Sequence, residues 1–228
     1  MSSDSFAFKR FTIRQDRCGM KVGMDGVTLG AWALCGNPSG RILDIGCGTG
    51  IISLMMAQRY PSASILGIDI DEEAVAQARE NVAGSTFAGN IIIRNIALQQ
   101  LEEPSFDLIV SNPPYFTNSL KASGIQRIQA RHNDSLPFRD LIRCSYRLLS
   151  DDGTLSLILP AEAKSDIDAE AIAVGFAPSR ICRLKTSEKK PPKRVLLEYS
   201  KQYTSEIEDS VLSLDSQEYR DLTCDFYL

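Results

Sequence analysis

Arg41-Ile42-Leu43-Asp44-Ile45-Gly46-Cys47-Gly48-Thr49-Gly50 is the stretch from which the rest of this chain is read. Its first half is a short apolar run of strand length and its second half a glycine-rich turn. Residues 50–59 then place Ile51, Ile52, Leu54, Met55 and Met56 at helical spacing. Strand, turn and helix in succession make one βα unit. Glycines allow the sharp turn and leave bare backbone for a ligand to lie against, while the helix N-terminus offers N–H donors. A tight turn with no ligand is the plainer reading of the same residues. Asp69 stands 19 positions beyond Gly50, at the end of a second strand over 65–68, and is placed there to accept hydrogen bonds from a ribose diol. A nicotinamide enzyme would suit that spacing too.

Outward from this unit, strands and helices alternate. An acid-rich start at Asp71, Glu72 and Glu73 opens a helix to Val82, and Ile91-Ile92-Ile93 is a third strand. Phe106-Asp107-Leu108-Ile109-Val110-Ser111 is a fourth, buried parallel strand. It ends in Asn112-Pro113-Pro114-Tyr115, where two prolines without N–H donors force a stiff exit from the sheet. Residues 116–135 form a polar stretch long enough to be a functional loop. Pro137 suits the first position of a helix to Leu149, 154–159 is a fifth strand, and 161–174 a helix. Strands over 176–185 and 194–199 have no helix between them and pair as a hairpin, which places one antiparallel strand in the sheet. Ahead of the core, residues 6–14 read as a short strand or hairpin, and 27–35 as an apolar helix carrying the only tryptophan, Trp32. The expected fold is α/β, a Rossmann-like doubly wound sheet of seven strands, mostly parallel. Residues 1–36 are an extension packed on a core domain over 37–228 that ends in a short acidic tail.

The chain of 228 residues can bury a core without disulfides or metals, and a net charge of −4 supplies no global attraction for nucleic acid. Its six scattered cysteines form no CxxC pair, and His132 is the only histidine, so no metal site is expected. Reduced thiols, no apolar run near 18 residues and no leader pattern point to a cytoplasmic protein outside the membrane. A monomer is the default. Basic residues gather in three places: Lys9, Arg10, Arg14, Arg17 and Lys21; Lys121, Arg127, Arg131, Arg139 and Arg143; and Lys189, Lys190, Lys193 and Arg194. Separately each is an ordinary solvated surface. Converging on the exit after the fourth strand, they would make a phosphate-binding rim, with Arg10, Arg17, Arg127, Arg131, Lys190, Lys193 and Arg194 as its contacts and the acidic tail directed away.

With Asp44 just ahead of Gly46, Gly48 and Gly50, the turn resembles that of class I S-adenosylmethionine-dependent methyltransferases. The resemblance implies S-adenosyl-L-methionine as cofactor, with Asp44 near its amino-acid part and Gly46, Gly48, Gly50, Asp69 and Ile70 along it. After the third strand such enzymes often carry an acid that contacts the adenine. Ala97 stands there instead, which leaves backbone groups of Ile96 and Ala97 for that task.

The tetrapeptide Asn112-Pro113-Pro114-Tyr115 resembles the motif of amino-methylating enzymes, among them adenine-N6, glutamine-N5 and some guanine-N2 families. An exocyclic amine is a poor nucleophile because its lone pair is delocalised into the ring. Acceptors from Asn112 and the Pro113 carbonyl would hold it pyramidal, while Tyr115 stacks on an extruded base. Asp16 to Val27 together with Gly30-Ala31-Trp32, then Gln129-Ala130-Arg131, the segment Lys190 to Leu197 and the ending Asp225-Phe226-Tyr227-Leu228, resemble the bacterial tRNA-Val adenine-N6 methyltransferase family. That likeness implies a catalytic set of Asn112, Pro113, Pro114 and Tyr115, and places Lys21, Asp25, Gly26 and Asn112 beside the cofactor. The implied partner is a tRNA whose adenine next to the anticodon flips into the site. Two alternatives are a glutamine-N5 methyltransferase of release factors and an RNA-binding module without turnover. About 39 residues precede the core, too few for the helical domain expected of the former.

Overall fold

The computed structural model describes residues 4–17, 21–114 and 136–228. The described elements, in chain order, are β1 (Ser5–Ala7), β2 (Thr12–Arg14), α1 (Met24–Trp32), β3 (Arg41–Ile45), α2 (Ile51–Arg59), β4 (Ser64–Asp69) and α3 (Glu72–Ala83). They continue with β5 (Ile91–Asn95), β6 (Phe106–Ser111), α4 (Phe138–Leu148), β7 (Leu149–Pro160), α5 (Lys164–Val174), β8 (Ala177–Lys185), β9 (Arg194–Ser200), β10 (Glu208–Ser213) and α6 (Gln217–Thr223). β1 and β2 form a separate antiparallel hairpin, and the rest make one sheet in the order β10-β8-β9-β7-β6-β3-β4-β5. Within that sheet β9 runs antiparallel to its neighbours β7 and β8.

Period-two alternation along the strands divides two cores. Ile42, Ile65, Leu108, Val110 and Leu196 face α1, α2 and α3, whereas Leu43, Leu66, Ile109, Leu155 and Leu197 face α4 and α5. Both faces of the parallel sheet are thus covered by helices, as crossover connections require. α1 approaches α2 very closely: a Cβ on Gly30 would lie 2.6 Å from Sδ of Met55, which is fully buried. A side chain there would have to displace the buried Met55 thioether.

Three expectations need correction. α1 begins at Met24, three residues before the expected start, and Pro137 immediately precedes α4 as its N-cap instead of opening it. The sheet has eight strands, not seven, because the acidic C-terminal segment folds. β10 pairs parallel to β8, where Glu208 and Asp209 meet Arg180 and Arg183, and Leu212, Leu222 and Tyr227 pack on the first core. The acids expected to form a short tail directed away from the basic rim are ion-pair partners for the basic edge of β8. Leu214, just past β10, borders one cleft with Asp25, Lys193 and Arg194, so this segment reaches the edge where those residues lie. α6 then lies on α1, with the Tyr219 hydroxyl 3.2 Å from Oγ1 of Thr28.

The N-terminal segment ascends beside α3. Its lower end lies by Phe87, where the Arg10 guanidinium sits 5.0 Å above the ring. Higher up, Asn81 Nδ2 donates to the carbonyls of both Arg14 and Thr49 at 2.9 Å, and Arg17 pairs with Glu80. The start of α1 lies at the carboxyl edge of the sheet, with Gly26 beside Asn112.

Candidate active site

β3 and β6 are neighbours in parallel register, with Ile45 opposite Ser111. The residues that follow, Gly46 and Asn112, therefore leave the sheet side by side. Ser111 Oγ donates to the Ile45 carbonyl at 2.8 Å and ties the two exits together.

The turn after β3 holds Gly46, Gly48 and Gly50 at φ of 68°, 52° and 80°, a left-handed region that L side chains avoid. A Cβ on Gly46 or Gly48 would meet nothing within 4 Å, so the bare backbone faces open space. Gly46 and Cys47 donate their N–H groups to the Ile68 carbonyl, and Gly48 N–H donates to Asp69 Oδ2 at 2.9 Å. The other carboxylate oxygen of Asp69 accepts from Asp71 N–H at 3.0 Å. Asp69 thus braces the turn, and each of its oxygens retains a lone pair for a further donor.

Asp44 is completely buried. Its Oδ2 accepts from the backbone N–H and the hydroxyl of Ser53 at 3.0 and 2.7 Å. Its Oδ1 has no hydrogen-bond partner among the described residues. Burial is the main force on this carboxyl and pushes its pKa up to about 7; the two Ser53 bonds oppose the rise, and Asp69 adds to it. An unpartnered buried acceptor beneath an open glycine turn is a place for a donor from outside the chain. Beyond it Ile70 is half exposed, with Ile96 and Ala97 partly buried beside it, an apolar shelf suited to a flat ring.

Asn112 is partly buried, Pro113 buried and Pro114 exposed. The start of α1 closes on Asn112, since a Cβ on Gly26 would lie 4.0 Å from its Nδ2. Asp25 accepts from Arg194 Nε at 2.8 Å, which fastens the first turn of α1 to the start of β9. Lys190 and Lys193 are exposed on the β8–β9 turn. That turn is at the same edge as the site, because Ala161 N–H, just past β7, donates to the Lys193 carbonyl.

The expected basic rim is therefore only partly assembled by the described residues. Arg194, Lys193 and Lys190 reach this edge, and Lys21 is exposed shortly before α1. Arg10 instead borders a cleft of about 660 Å³ with Lys9, Arg59 and Tyr60, at the end of α2 remote from the glycine turn. Arg17 is engaged with Glu80 on α3. Tyr115, Arg127, Arg131, His132 and the Gln129-Ala130-Arg131 segment lie outside the described residues. Ser53 and Asn81 carry little local signal for these roles. A serine amid the apolar first turn of α2 is the only sign of Ser53, and nothing local announces that Asn81 holds both hairpin and glycine turn.

Among the described residues no cluster of three or more His, Cys, Asp or Glu could hold a metal ion, and no helix is long and apolar enough to cross a membrane.

Residues 26–166 match the methyltransferase small domain family. A tRNA1(Val) (adenine(37)-N6)-methyltransferase of Parabacteroides distasonis is 43% identical, over 100% of this chain and 99% of that protein. Proteins of the same name from Phocaeicola vulgatus and Vibrio campbellii are 46% and 39% identical, again over all of this chain and 99% and 97% of theirs. Among solved structures, a predicted O-methyltransferase from Agrobacterium tumefaciens superposes with a TM-score of 0.70 at 20% identity, over 89% of this chain and 96% of that one. TrmN from Thermus thermophilus gives 0.54 at 22% identity, over 72% and 45%. At such identities the structures share the fold.

Proposed function

The chain belongs to the tRNA1(Val) (adenine(37)-N6)-methyltransferase family, and from that membership we propose the reaction its site performs: methyl transfer from S-adenosylmethionine to the exocyclic N6 amine of adenine 37 in a valine tRNA. The observation that carries this reading is the register of β3 and β6, which sets the glycine turn and Asn112 next to each other at one sheet edge.

The residues present fit the cofactor. Asp44 Oδ1, buried and unpartnered among the described residues, suits a cationic amino group. Gly46 and Gly48 leave room for its chain, Asp69 can accept from ribose hydroxyls, and Ile70 with the Ile96–Ala97 backbone suits the adenine. When bound, S-adenosylmethionine supplies an electrophilic methyl group on a sulfonium.

The protein's part is to make a weak nucleophile available at that spot. Asn112 Oδ1 and the Pro113 carbonyl accept from the two N–H groups of the target amine and favour its pyramidal form. The stiffness of Pro113-Pro114 holds both acceptors still, so orientation is set before the amine arrives. No strong base is required first, because the amine nitrogen becomes acidic only as it gains the methyl group. Tyr115 supplies a stacking face for the flipped base.

The test is to incubate the protein with methyl-labelled S-adenosylmethionine and valine tRNA, the same tRNA with guanine at position 37, or a release factor. Label recovered as N6-methyladenosine from the first RNA alone is expected. Label in the release factor, or in the position-37 variant, would overturn the assignment.

A further inference from the structure

We propose that the cleft between the start of α1 and the β8–β9 turn is a subsite for a nucleotide flanking the target adenine in the same RNA strand. The inference rests on the methyl-transfer reading above. The cleft measures about 150 Å³ and is bordered by Met24, Asp25, Leu184, Lys193, Arg194 and Leu214. Asp25 of the cleft and Gly26, which lies beside Asn112, both belong to the first turn of α1, so cleft and acceptor amide flank the same turn.

Three features define the occupant. One wall is apolar: Met24 is 54% exposed, above a buried Leu184 and a partly buried Leu214. A polarisable thioether left in water at a site mouth is a good surface for a flat aromatic ring. The rim is cationic, since Lys185 and Lys193 join Arg194 around a single carboxylate, Asp25, which Arg194 already neutralises. That balance suits the phosphate on either side of a nucleotide. Finally, the space is well below the roughly 300 Å³ at which ordinary small-molecule pockets begin. It has room for one base, not for a folded peptide segment. A base stacked on Met24 with its phosphate against Lys185 and Lys193 would brace the strand while the neighbouring adenine is turned out towards Asn112. Stacking of this kind is tolerant of base identity.

The experiment uses valine tRNA carrying an abasic residue at position 36, at position 38, or at a position in the acceptor stem. Each is assayed with the native protein and with Met24→Ala. One of the two flanking abasic sites is expected to raise KM by on the order of tenfold with kcat little changed, and the acceptor-stem site to have no effect. Met24→Ala should raise KM on intact RNA similarly, and the two changes together should do no more than either alone. The cofactor affinity of Met24→Ala, measured separately, should equal that of the native protein and reports correct folding. If both flanking abasic RNAs react like intact RNA, or if the losses multiply, the subsite is refuted while methylation of adenine 37 stands. If intact RNA is not methylated at all, the reading beneath it fails as well.

Discussion

Replacing Asp44 by Asn tests the electrostatic core of the site. The native carboxyl is buried, has one oxygen without a partner among the described residues, and takes up a proton at about pH 7 instead of the 3.8 of an unhindered aspartate. Between these limits the folded chain binds a proton that the unfolded chain has released. Stability therefore falls as pH rises from about 4 to about 7 and levels off above. At about 1.4 kcal/mol per unit, the displacement amounts to about 4 kcal/mol of burial cost carried at pH 8. Asn has the same shape, can still accept from Ser53, and never ionises. Asp44→Asn should accordingly be more stable than the native protein at pH 8, by several kcal/mol at most, and the advantage should shrink steadily as pH is lowered to 5. Urea denaturation of both proteins from pH 5 to 8.5, without cofactor, measures this directly. Binding should pay the opposite way: a cationic amino group beside Asp44 favours the carboxylate, so native protein should release protons on cofactor binding near pH 6.5. In calorimetry that release appears as a dependence on buffer ionisation enthalpy, absent in the variant, whose affinity should also drop. A stability difference that does not vary with pH, or a variant less stable at pH 8, would refute the reasoning.

Asn112→Ala should reduce methyl transfer by on the order of a thousandfold, as for loss of a preorganised polar group, with cofactor affinity changed only slightly; rapid-quench assays and calorimetry separate the two. Lys190→Ala and Lys193→Ala should each weaken tRNA binding and lower the salt slope of log Kd by about 0.7 to 0.9, read by filter binding at several salt concentrations. Gly30→Ala should destabilise the fold by about 1 to 3 kcal/mol in denaturant titrations, because its Cβ would force the buried Met55 side chain out of its packed position.

Much of the architecture is legible in local pattern. Apolar runs of strand length, helical spacing after Gly50 and the absence of a helix between β8 and β9 are short-range properties, and they yield a doubly wound sheet with one reversed strand. The glycine turn and Asn112-Pro113-Pro114 are equally local, because each is one strand exit with its own chemistry. Where reading fails, the cause is a partner far along the chain. Glu208 and Asp209 read as part of a short acidic tail until Arg180 and Arg183 are found beside them on β8, where the eighth strand pairs. Arg10 and Arg194 are both basic residues of the expected rim, yet packing beside α3 puts Arg10 by Phe87 while Arg194 pairs with Asp25 at the start of α1. Backbone conformation and amphipathic period depend on neighbours within a turn or two, so the chain's own letters determine them. Which two strand exits meet, what pairs with a charge and how deeply Asp44 is buried depend on residues tens of positions away. Only close packing of the folded sheet decides those.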